Sequence, residues 1–364
     1  MPALADFPRH APEKLGALLR RLLEAAGSAP PEAAMVAEHL VGAHLAGHDS
    51  HGSHLMARYL DDIRMGRTRP NTPARLAEDL GALLRFDGGF GFGQRVAREA
   101  TEQAIARART TGLVLYTVTA AMHVGRIGAY GEQAVAAGLA AILFVNVIGH
   151  EPCVAPHGGI AARLLTNPVC IALPWGGSGG RPFLLDMATS QIALGKVNVA
   201  NAGGYQIPPG TAIDPRGRPT RNPADVVGEP AGALLPAGLH KGYGLAVACE
   251  LLAGAFGGGG TIQPGTLRDG TTRNNLFGIL FDPARLGDPA AQRAEAEALA
   301  AYLLATEAAA ESGPVRLAGD PEHATGEERR RLGIPLAPAT LEALLASGES
   351  LGLARAGLLA LLEP

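Results

Sequence analysis

The sequence predicts an α/β fold in which helical segments at both ends of the chain bracket a middle that contains a mixed sheet. Apolar residues recur at helical spacing near both ends, whereas β-branched and aromatic runs occupy the middle. The chain has 364 residues, which is longer than a domain with a single hydrophobic core usually is. We therefore expect a discontinuous helical lobe of residues 1–115 and 245–364, and a second lobe of residues 116–244.

Helices in the first part of the chain are predicted to begin at prolines or to follow turns. Pro12 opens a stretch in which leucines recur every three or four residues, and Pro31 opens another. Pro70 and Pro73 mark a linker before the next helical stretch. The predicted helices are residues 12–26, 31–47, 58–65 and 96–111.

Strands are predicted where the apolar pattern changes in the middle of the chain. Residues 113–118 are β-branched and aromatic, and residues 140–147 are almost entirely apolar, as is typical of buried strands. The predicted strands are residues 113–118, 140–147, 169–173, 183–187 and 276–281. Further helices are predicted at residues 128–138, 245–256, 292–311 and 338–362.

Composition and charge exclude several classes of protein. Hydrophobic residues make up 47% and charged residues 18%, which excludes a disordered chain, and the net charge of −3 lacks the basic excess of nucleic-acid binders. The three cysteines form no C-x-x-C pair and no disulfide framework. The longest apolar stretch, residues 134–148, is shorter than the ~20 residues of a membrane span, and no signal peptide is apparent. We expect a cytoplasmic protein that binds a small molecule, and neither nucleic acid nor membrane.

Common nucleotide and hydrolase motifs do not occur in the sequence. The glycine run at residues 89–93 has Gln94 where a Rossmann fingerprint requires its last glycine. Lys196 follows a glycine but precedes Val197 rather than Ser or Thr, so no P-loop is predicted. Neither G-x-S-x-G nor H-E-x-x-H is present.

Five histidines fall between His39 and His54, which raises the question of a metal site. His44, His48 and His51 are spaced four and three residues apart, but the turn at residues 50–52 should break a helix there. We therefore interpret most of them as packed or solvated side chains and expect no metal. A metal-dependent hydrolase remains a remote alternative, while the turn itself can present Ser50 and His51 rigidly.

Two further segments carry titratable groups that suit acid–base chemistry. His123 and Arg126 lie between a predicted strand and a predicted helix, where α/β proteins commonly bind anions. The ordinary pKa of histidine, ~6.5, suits proton transfer at cellular pH. Asp186 lies in an apolar strand and needs a partner, which is either an imidazole, an arginine or a helix start.

Backbone-rich segments offer N–H groups for an anionic ligand. Residues 156–159 lead into Thr166 and Asn167, which we expect to contact substrate. Residues 239–244 include His240 and Lys241, whose positive charge suits a phosphate or carboxylate.

Taken in order, these segments resemble the type-2 malate/L-lactate dehydrogenases, which are NAD(P)-dependent and unrelated to the Rossmann lactate dehydrogenases. The resemblance covers nearly the whole chain and is strongest to the hydroxycarboxylate dehydrogenase B branch. The matching motifs are GHDSHG (47–52), HVGRIG (123–128), TNP (166–168), LLDMATS (184–190), GKV (195–197), PPG (208–210), HKGYGLA (240–246) and RLGIPL (331–336).

The resemblance implies a non-Rossmann malate/L-lactate dehydrogenase-like fold and a homodimer. It makes residues 116–244 the cofactor-binding lobe, and residues 1–115 with 245–364 the lobe for dimerisation and substrate. The implied activity is hydride transfer between NAD(P)H and a 2-oxo or 2-hydroxy acid of the malate, lactate, 2-hydroxyglutarate or aryl-lactate type. NAD is slightly favoured over NADP. A reductase of a cyclic imino acid of the piperideine-2-carboxylate type, or a non-catalytic relative, is the alternative.

The resemblance also assigns roles to individual residues. His123 matches the catalytic acid/base and Asp186 the carboxylate that pairs with it, while Ser50 and His51 line the nicotinamide and substrate site. Substrate contacts are expected from His51, Arg126, Thr166 and Asn167. The expected cofactor contacts are His51, Gly125, Arg126, Ile127, Leu184, Leu185, Asp186, Met187, Ala188, His240, Lys241, Gly319, Asp320, Pro321 and Glu322.

One position departs from the pattern of the family. Many members carry an arginine four residues after the motif histidine, where it binds the substrate carboxylate, and this chain has Leu55 there. The next arginine is Arg58. Arg126 or Lys241 could take over the carboxylate, and Leu55 could admit a bulkier substrate side chain.

Overall fold

A computed structural model describes residues 7–310 and 312–363. Its helices are α1 (Pro12–Ala25), α2 (Pro30–Leu45), α3 (Met56–Arg64), α4 (Gly93–Thr111), α5 (Gly128–Ala136), α6 (Leu194–Gly203), α7 (Ala224–Val227), α8 (His240–Cys249), α9 (Pro289–Leu304), α10 (Asp320–Leu332), α11 (Pro338–Ser350) and α12 (Arg355–Ala360). A π-helix, Glu250–Phe256, continues α8. Short 3₁₀ turns, Asp49–His51 and Ser53–Leu55, precede α3.

The strands form one large sheet and two small ones. They are β1 (Arg9–His10), β2 (Arg75–Asp79), β3 (Leu83–Asp87), β4 (Leu113–Met122), β5 (Ala140–Ile148), β6 (Val169–Gly176), β7 (Pro182–Met187), β8 (Ala212–Ile213), β9 (Pro219–Thr220), β10 (Ala233–Leu234), β11 (Arg273–Phe281) and β12 (Ile334–Pro335). The large sheet has seven strands in the order β2-β3-β4-β11-β5-β6-β7. The β3–β4 pair is parallel and the other neighbours are antiparallel.

The register of the large sheet brings several strand ends together. Arg273, which opens β11, pairs with Met122 on one side and with Ile148 on the other. The last residues of β4 and β5 therefore lie beside the first residue of β11. Because Val169 pairs with Met187, the start of β6 and the end of β7 lie at the same end of the sheet. This end of the sheet carries the candidate site.

The three largest hydrophobic clusters of the described residues hold the fold together. The first lies between the large sheet and helices α4 and α5, and it buries Tyr116 and Tyr130 completely. The second joins α1, α2 and α3 to α11 and α12, where each fully buried leucine contributes about 1.5–3 kcal/mol of transfer free energy. The third fills a small lobe built from β8, β9 and β10 with α6, α7 and α8.

The α/β fold with a mixed sheet and helical ends is confirmed. Each predicted strand is present, and β11 begins three residues before the predicted residue 276. The structure adds elements that lacked a clear apolar pattern: the β2–β3 hairpin, whose β2 is exposed throughout, and the polar helix α10. α8 starts at His240 rather than at residue 245.

The two lobes predicted from the sequence contribute jointly to the large sheet. β2, β3 and β11 come from the segments assigned to the helical lobe, whereas β5, β6 and β7 come from residues 116–244. Because strands from both predicted lobes share one sheet, the division of the chain into residues 1–115 with 245–364 and residues 116–244 stays a prediction. Within the described part of the chain, no helix combines the length and the apolar character that crossing a membrane requires.

Candidate active site

His123 lies directly after β4, at the end of the sheet where the strand ends meet. The amide of the next residue, Val124, donates to the side chain of Asn274 in β11 at 2.9 Å. On the other side, α4 begins at Gly93, and a Cβ atom there would overlap the carbonyl oxygens of Met122 and His123. Only glycine fits this close approach, so the backbone of His123 is held between β11 and the start of α4.

The imidazole of His123 is fixed by a chain of two hydrogen bonds. Its Nδ1 lies 2.6 Å from the hydroxyl of Tyr59, and Nε2 of Gln94 donates to the same hydroxyl at 2.8 Å. A phenol can donate to Nδ1 of one neutral tautomer, or accept from Nδ1–H of the other tautomer and of the protonated ring. The contact is therefore compatible with each protonation state, and it does not involve Nε2.

The environment of His123 favours the neutral ring. Burial lowers the pKa of His123 well below its usual value, and the positive charges of a protonated His51 and of Arg58 lower it further. The ring of His51 stacks on His123 with 5.6 Å between the ring centroids. Burial likewise lowers the pKa of His51 to about 4.

The turn that carries Ser50 and His51 is held in place by hydrogen bonds to α2 and α10. Arg329 in α10 binds both carboxylate oxygens of Asp49, at 2.6 and 3.0 Å, and Asp49 also contacts Nδ1 of His44 at 2.6 Å. Nε2 of His44 accepts from the amide of Ser53 at 2.9 Å. These contacts explain how the sequence can place His51 rigidly: the neighbouring Asp49 ties the turn to two helices.

The histidine cluster does not converge on one point. His44 is bound to Asp49, His48 lies 3.3 Å from Glu322, and His39 accepts from the amide of Arg126 at 2.9 Å. Over residues 7–310 and 312–363, no group of three His, Cys, Asp or Glu side chains is placed to hold a metal ion.

Asp186 does not pair with His123, and this part of the prediction is wrong. Oδ2 of Asp186 accepts from the amide of Gly128 at 2.8 Å and lies 3.8 Å from Arg126. The physical reason is the strand order, since β7 is the edge strand and lies four positions from β4. Asp186 instead contacts the start of α5 and lies near Arg126. A helix start and an arginine are the two other partners that the sequence suggested for it.

Arg126 is buried beside Asp186 with part of its guanidinium unused. Its side chain is only 4% exposed, and its NH2 binds Glu132 at 2.6 Å. Within the described residues, Nε and NH1 have no hydrogen-bond partner. Burial raises the pKa of Asp186, and the positive charge of Arg126 opposes that rise.

The remaining predicted cofactor residues fall into two places. The turn at residues 319–322 meets β7: the amide of Leu184 donates to Ala318, and Asp320 accepts from Ser178 and Arg181 at 2.5 and 2.9 Å. We call Arg126, Asp186, Asp320 and Glu322 the β7 edge. Gly125, Ile127, Leu185, Met187 and Ala188 adjoin these residues in the chain.

His240 and Lys241 are exposed at the start of α8 in the small lobe. The small lobe approaches the turn through Gly195 at the start of α6, where a Cβ would lie 3.2 Å from Cβ of Ser50. The structure therefore brings Ser50, His51 and His123 together, and it places His240 and Lys241 on a separate element.

Asn167 is engaged in a buried network rather than left free for a ligand. Its oxygen accepts from the amide of Val147 at 3.1 Å, and its nitrogen donates to Glu250 at 2.8 Å. Thr189 donates to the backbone carbonyls of Thr166 and Asn167. Both polar atoms of the Asn167 side chain are thus hydrogen-bonded within the protein, and neither is left for the expected substrate contact. The side chain instead holds the loop that precedes β6 in place.

The sequence reasoning missed most of the groups around His123. Tyr59 and Gln94 are distant in sequence, and Thr272 precedes β11. Thr272 accepts a hydrogen bond from NH2 of Arg58 and lies 2.6 Å from Nε2 of His150. We call His123, Tyr59, Arg58, Thr272 and His150 the His123 pocket. A local signal was available for Tyr59 alone, an aromatic residue on the buried face of α3.

The chain is similar to known dehydrogenases in both sequence and structure. Residues 10–345 match the malate/L-lactate dehydrogenase family. The chain belongs to this family. It is 38% identical to hydroxycarboxylate dehydrogenase B of Escherichia coli (strain K12) over 343 residues, which is 94% of each chain. It is 44% identical to L-lactate dehydrogenase of Cupriavidus necator over 268 residues, 74% of this chain and 76% of the relative.

A solved structure supports the same assignment. It comes from Escherichia coli, from a protein described as a candidate malate/lactate dehydrogenase, and superposes with a TM-score of 0.92 at 37% identity. The alignment covers 97% of this chain and 98% of that one. The family resemblance predicted from the motifs is therefore confirmed, and the chain is an oxidoreductase of the malate/lactate dehydrogenase family.

Proposed function

We propose that this chain is an NAD(P)-dependent dehydrogenase that interconverts a 2-oxo acid and the corresponding 2-hydroxy acid, with His123 as the general acid and base. The observation that carries the proposal is the setting of His123. Its Nδ1 is held by Tyr59, its backbone is held by Gly93 and Asn274, and its ring stacks on His51. Such a residue is positioned for proton transfer at Nε2.

The residues of the β7 edge fit a dinucleotide. Arg126 has two buried N–H groups without partners, which suit an anionic or polar group of a ligand. β7 is an edge strand, and the amide of Leu184 points away from β6 to the carbonyl of Ala318. Because backbone groups alternate in direction along a strand, the amide of Asp186 also points away from β6, where a ligand could bind it. The nicotinamide, when bound, supplies the hydride. The carboxylates Asp186, Asp320 and Glu322 would repel a 2′-phosphate, which supports NAD rather than NADP.

Proton transfer follows from the hydrogen bonds of His123. Reduction of a 2-oxo acid places negative charge on the carbonyl oxygen, and Nε2–H of the protonated ring donates a hydrogen bond and then the proton to that oxygen. Nδ1–H meanwhile donates to the hydroxyl of Tyr59, which stabilises the protonated ring. In the reverse direction, the neutral ring accepts the hydroxyl proton at Nε2. General acid catalysis of this kind contributes about 10²–10⁴-fold to the rate.

Asp186 takes a different role from the one its position in the motif implies. It fixes the start of α5 through Gly128 and lies beside Arg126. We therefore propose that Asp186 organises the dinucleotide site, while Tyr59 and Gln94 orient the catalytic imidazole.

We also propose a cytoplasmic homodimer formed through the small lobe. Large apolar side chains are exposed on α6, on the π-helix after α8 and in the following loop, including Phe256 (77% exposed), Val199 and Leu267. Exposed apolar side chains of this size favour association with a second copy. Light scattering of the purified protein tests this, since a monomer at micromolar concentration would contradict it.

The activity is tested by the absorbance of the reduced nicotinamide. The purified protein is supplied with NADH or NADPH and, separately, 2-oxoglutarate, oxaloacetate, pyruvate, phenylpyruvate or a cyclic imino acid. Turnover of any 2-oxo acid is the expected result. Turnover of the cyclic imine alone would replace the proposal with imine reduction, and nucleotide binding without turnover would indicate a non-catalytic relative.

A further inference from the structure

Arg58 is a cation beside His123 that lacks a counter-ion in the described part of the chain. It lies in α3, next to Tyr59, and its NH2 donates to the hydroxyl of Thr272. Its Nε is buried, and across residues 7–310 and 312–363 it finds no hydrogen-bond partner. No carboxylate of those residues lies within 4.0 Å of its guanidinium nitrogens. A buried N–H without a partner is costly, which points to a ligand that completes it.

The position of Arg58 relative to His123 is set by Thr272. Thr272 lines the same small cavity as His123, Tyr59 and Gln94. Arg58 donates to Thr272, so its guanidinium is in direct contact with a residue that lines the cavity. The charge of Arg58 also lowers the pKa of His123, as expected for a nearby cation.

The other cations considered for a substrate carboxylate are committed elsewhere. Arg126 binds Glu132 at 2.6 Å and lies 3.8 Å from Asp186, so its charge is already balanced. Lys241 is exposed at the start of α8 in the small lobe. Near His123, Asp62 lines the cavity and lies 3.5 Å from Arg67. Burial raises the pKa of Asp62 and the charge of Arg58 opposes that rise, but Arg58 has no carboxylate oxygen of the described residues within 4.0 Å.

We infer that Arg58 binds the carboxylate of the substrate, and that Thr272 holds the guanidinium in position for it. The inference rests on the proposed function, because it places the carbonyl oxygen of a 2-oxo acid toward Nε2 of His123. A guanidinium matches a carboxylate through parallel N–H···O bonds, which fixes the orientation of the substrate as well as its charge. The site therefore selects substrates with a carboxylate next to the reacting carbon over simple ketones and esters.

A binding measurement tests the inference without turnover. Oxamate, a small analogue of a 2-oxo acid, is titrated calorimetrically into the protein saturated with NADH. We expect Arg58→Met to weaken oxamate binding by about 10- to 100-fold, as for a lost charged hydrogen bond, while NADH binding is unchanged. Arg64→Met is the matched control, since Arg64 lies on the same helix but is 74% exposed and pairs with Asp61.

Two outcomes would overturn the inference: oxamate binding by Arg58→Met within twofold of the wild type, or no oxamate binding by the wild type. Should Arg58→Met fail to fold, Arg58→Lys serves in its place, because it keeps the charge but loses the planar fork and should bind oxamate about 10-fold more weakly. Thr272→Val keeps Arg58 but removes its hydrogen-bond acceptor, and we expect a smaller loss of about threefold to tenfold.

Kinetics separate this inference from the proposed function. For the wild type, kcat/KM for a 2-oxo acid should exceed that for its methyl ester, and Arg58→Met should reduce this preference at least 10-fold, mainly through KM. A wild type without activity on any 2-oxo acid would remove the proposed function, while Arg58-dependent oxamate binding would still establish the carboxylate site. An active wild type whose acid-to-ester preference is unchanged in Arg58→Met would remove the inference alone.

Discussion

The His123 pocket and the β7 edge lie at the same end of the sheet, but they differ in their balance of charge. In the pocket, the histidines are buried and favour their neutral form, and Arg58 has no carboxylate oxygen of the described residues within 4.0 Å. At the β7 edge, Asp186 lies 3.8 Å from Arg126, while Asp320 and Glu322 contact Arg181 and His48. This difference fits the proposed function, in which the pocket would bind a small anion and transfer a proton, and the edge would bind the larger dinucleotide.

Replacing His123 should have the largest effect, because it removes the proton carrier from the pocket and leaves the β7 edge intact. We expect His123→Ala to lower kcat by about 10²–10⁴-fold. NADH affinity, measured by fluorescence titration, should stay within about threefold of the wild type. Turnover close to the wild-type rate would contradict the role of His123, and loss of NADH binding as well would show that the two regions are not separate.

The free energy of unfolding should decrease as the pH is lowered, because a buried histidine that contacts Arg126 of the β7 edge must then be protonated. His39 accepts a hydrogen bond from the amide of Arg126 at Nε2, and burial lowers its pKa to about 3. Below its usual pKa of ~6.5, the unfolded chain binds a proton that the folded chain does not, so stability is lost as the pH falls from 6.5 toward 3. At pH 5 the contribution of this residue to the loss is about 2 kcal/mol.

Urea unfolding at pH 7 and pH 5 measures this effect. His39→Gln keeps an acceptor for the Arg126 amide but cannot be protonated, so its stability should depend less on pH by about 2 kcal/mol. His323→Gln is the control, since His323 lies on α10 with its side chain 40% exposed. Equal pH dependence in the wild type and His39→Gln would contradict the assignment.

Asp186→Asn should alter the β7 edge and leave the His123 pocket unchanged. The amide keeps an acceptor for Gly128 but removes the charge beside Arg126. We expect KM for NADH to rise about 10-fold, the equivalent of ~1.4 kcal/mol, while KM for the 2-oxo acid changes less than twofold. A large loss of kcat with an unchanged KM for NADH would instead indicate that Asp186 acts through His123.

Tyr59→Phe should have the smallest effect on catalysis. It removes the hydroxyl that holds Nδ1 of His123 and that accepts from Gln94, but it keeps the packing of the ring against Phe92. The loss of one hydrogen bond of about 1 kcal/mol predicts a kcat about fivefold lower. The pH profile of kcat should shift, because the protonated ring loses its acceptor, and an unshifted profile would reduce Tyr59 to a packing role.

Local patterns in the sequence predicted much of the fold. Helices that begin at Pro12 and Pro30, and the strands on either side of α5, follow from features within a few residues. The order of strands does not, because β11 inserts between β4 and β5 although it lies far later in the chain. This insertion adds one more strand between β4 and the edge strand β7, so that Asp186 lies four strand positions from β4, and the predicted pairing of His123 with Asp186 failed.

The candidate site shows the same limit. His123 and His51 stood out because they lie in motifs with glycines and polar residues. Tyr59 contacts His123 across 64 positions of sequence and Thr272 contacts Arg58 across 214, distances at which local spacing carries no information. α10 was missed for another reason: its sequence is polar nearly throughout, and it is held by Arg329 rather than by an apolar face.

The close approach at Gly93 has a consequence for how this enzyme can be altered. The first turn of α4 touches the carbonyls of Met122 and His123 with nothing larger than a hydrogen atom between them. Any side chain at this position would push the backbone of His123, and with it the imidazole that we propose as the acid and base, away from the hydroxyl of Tyr59. A displacement of about 1 Å is enough to cost a hundredfold in rate. Libraries that vary the substrate pocket should therefore leave position 93 as glycine and diversify the helix only from its second turn onward.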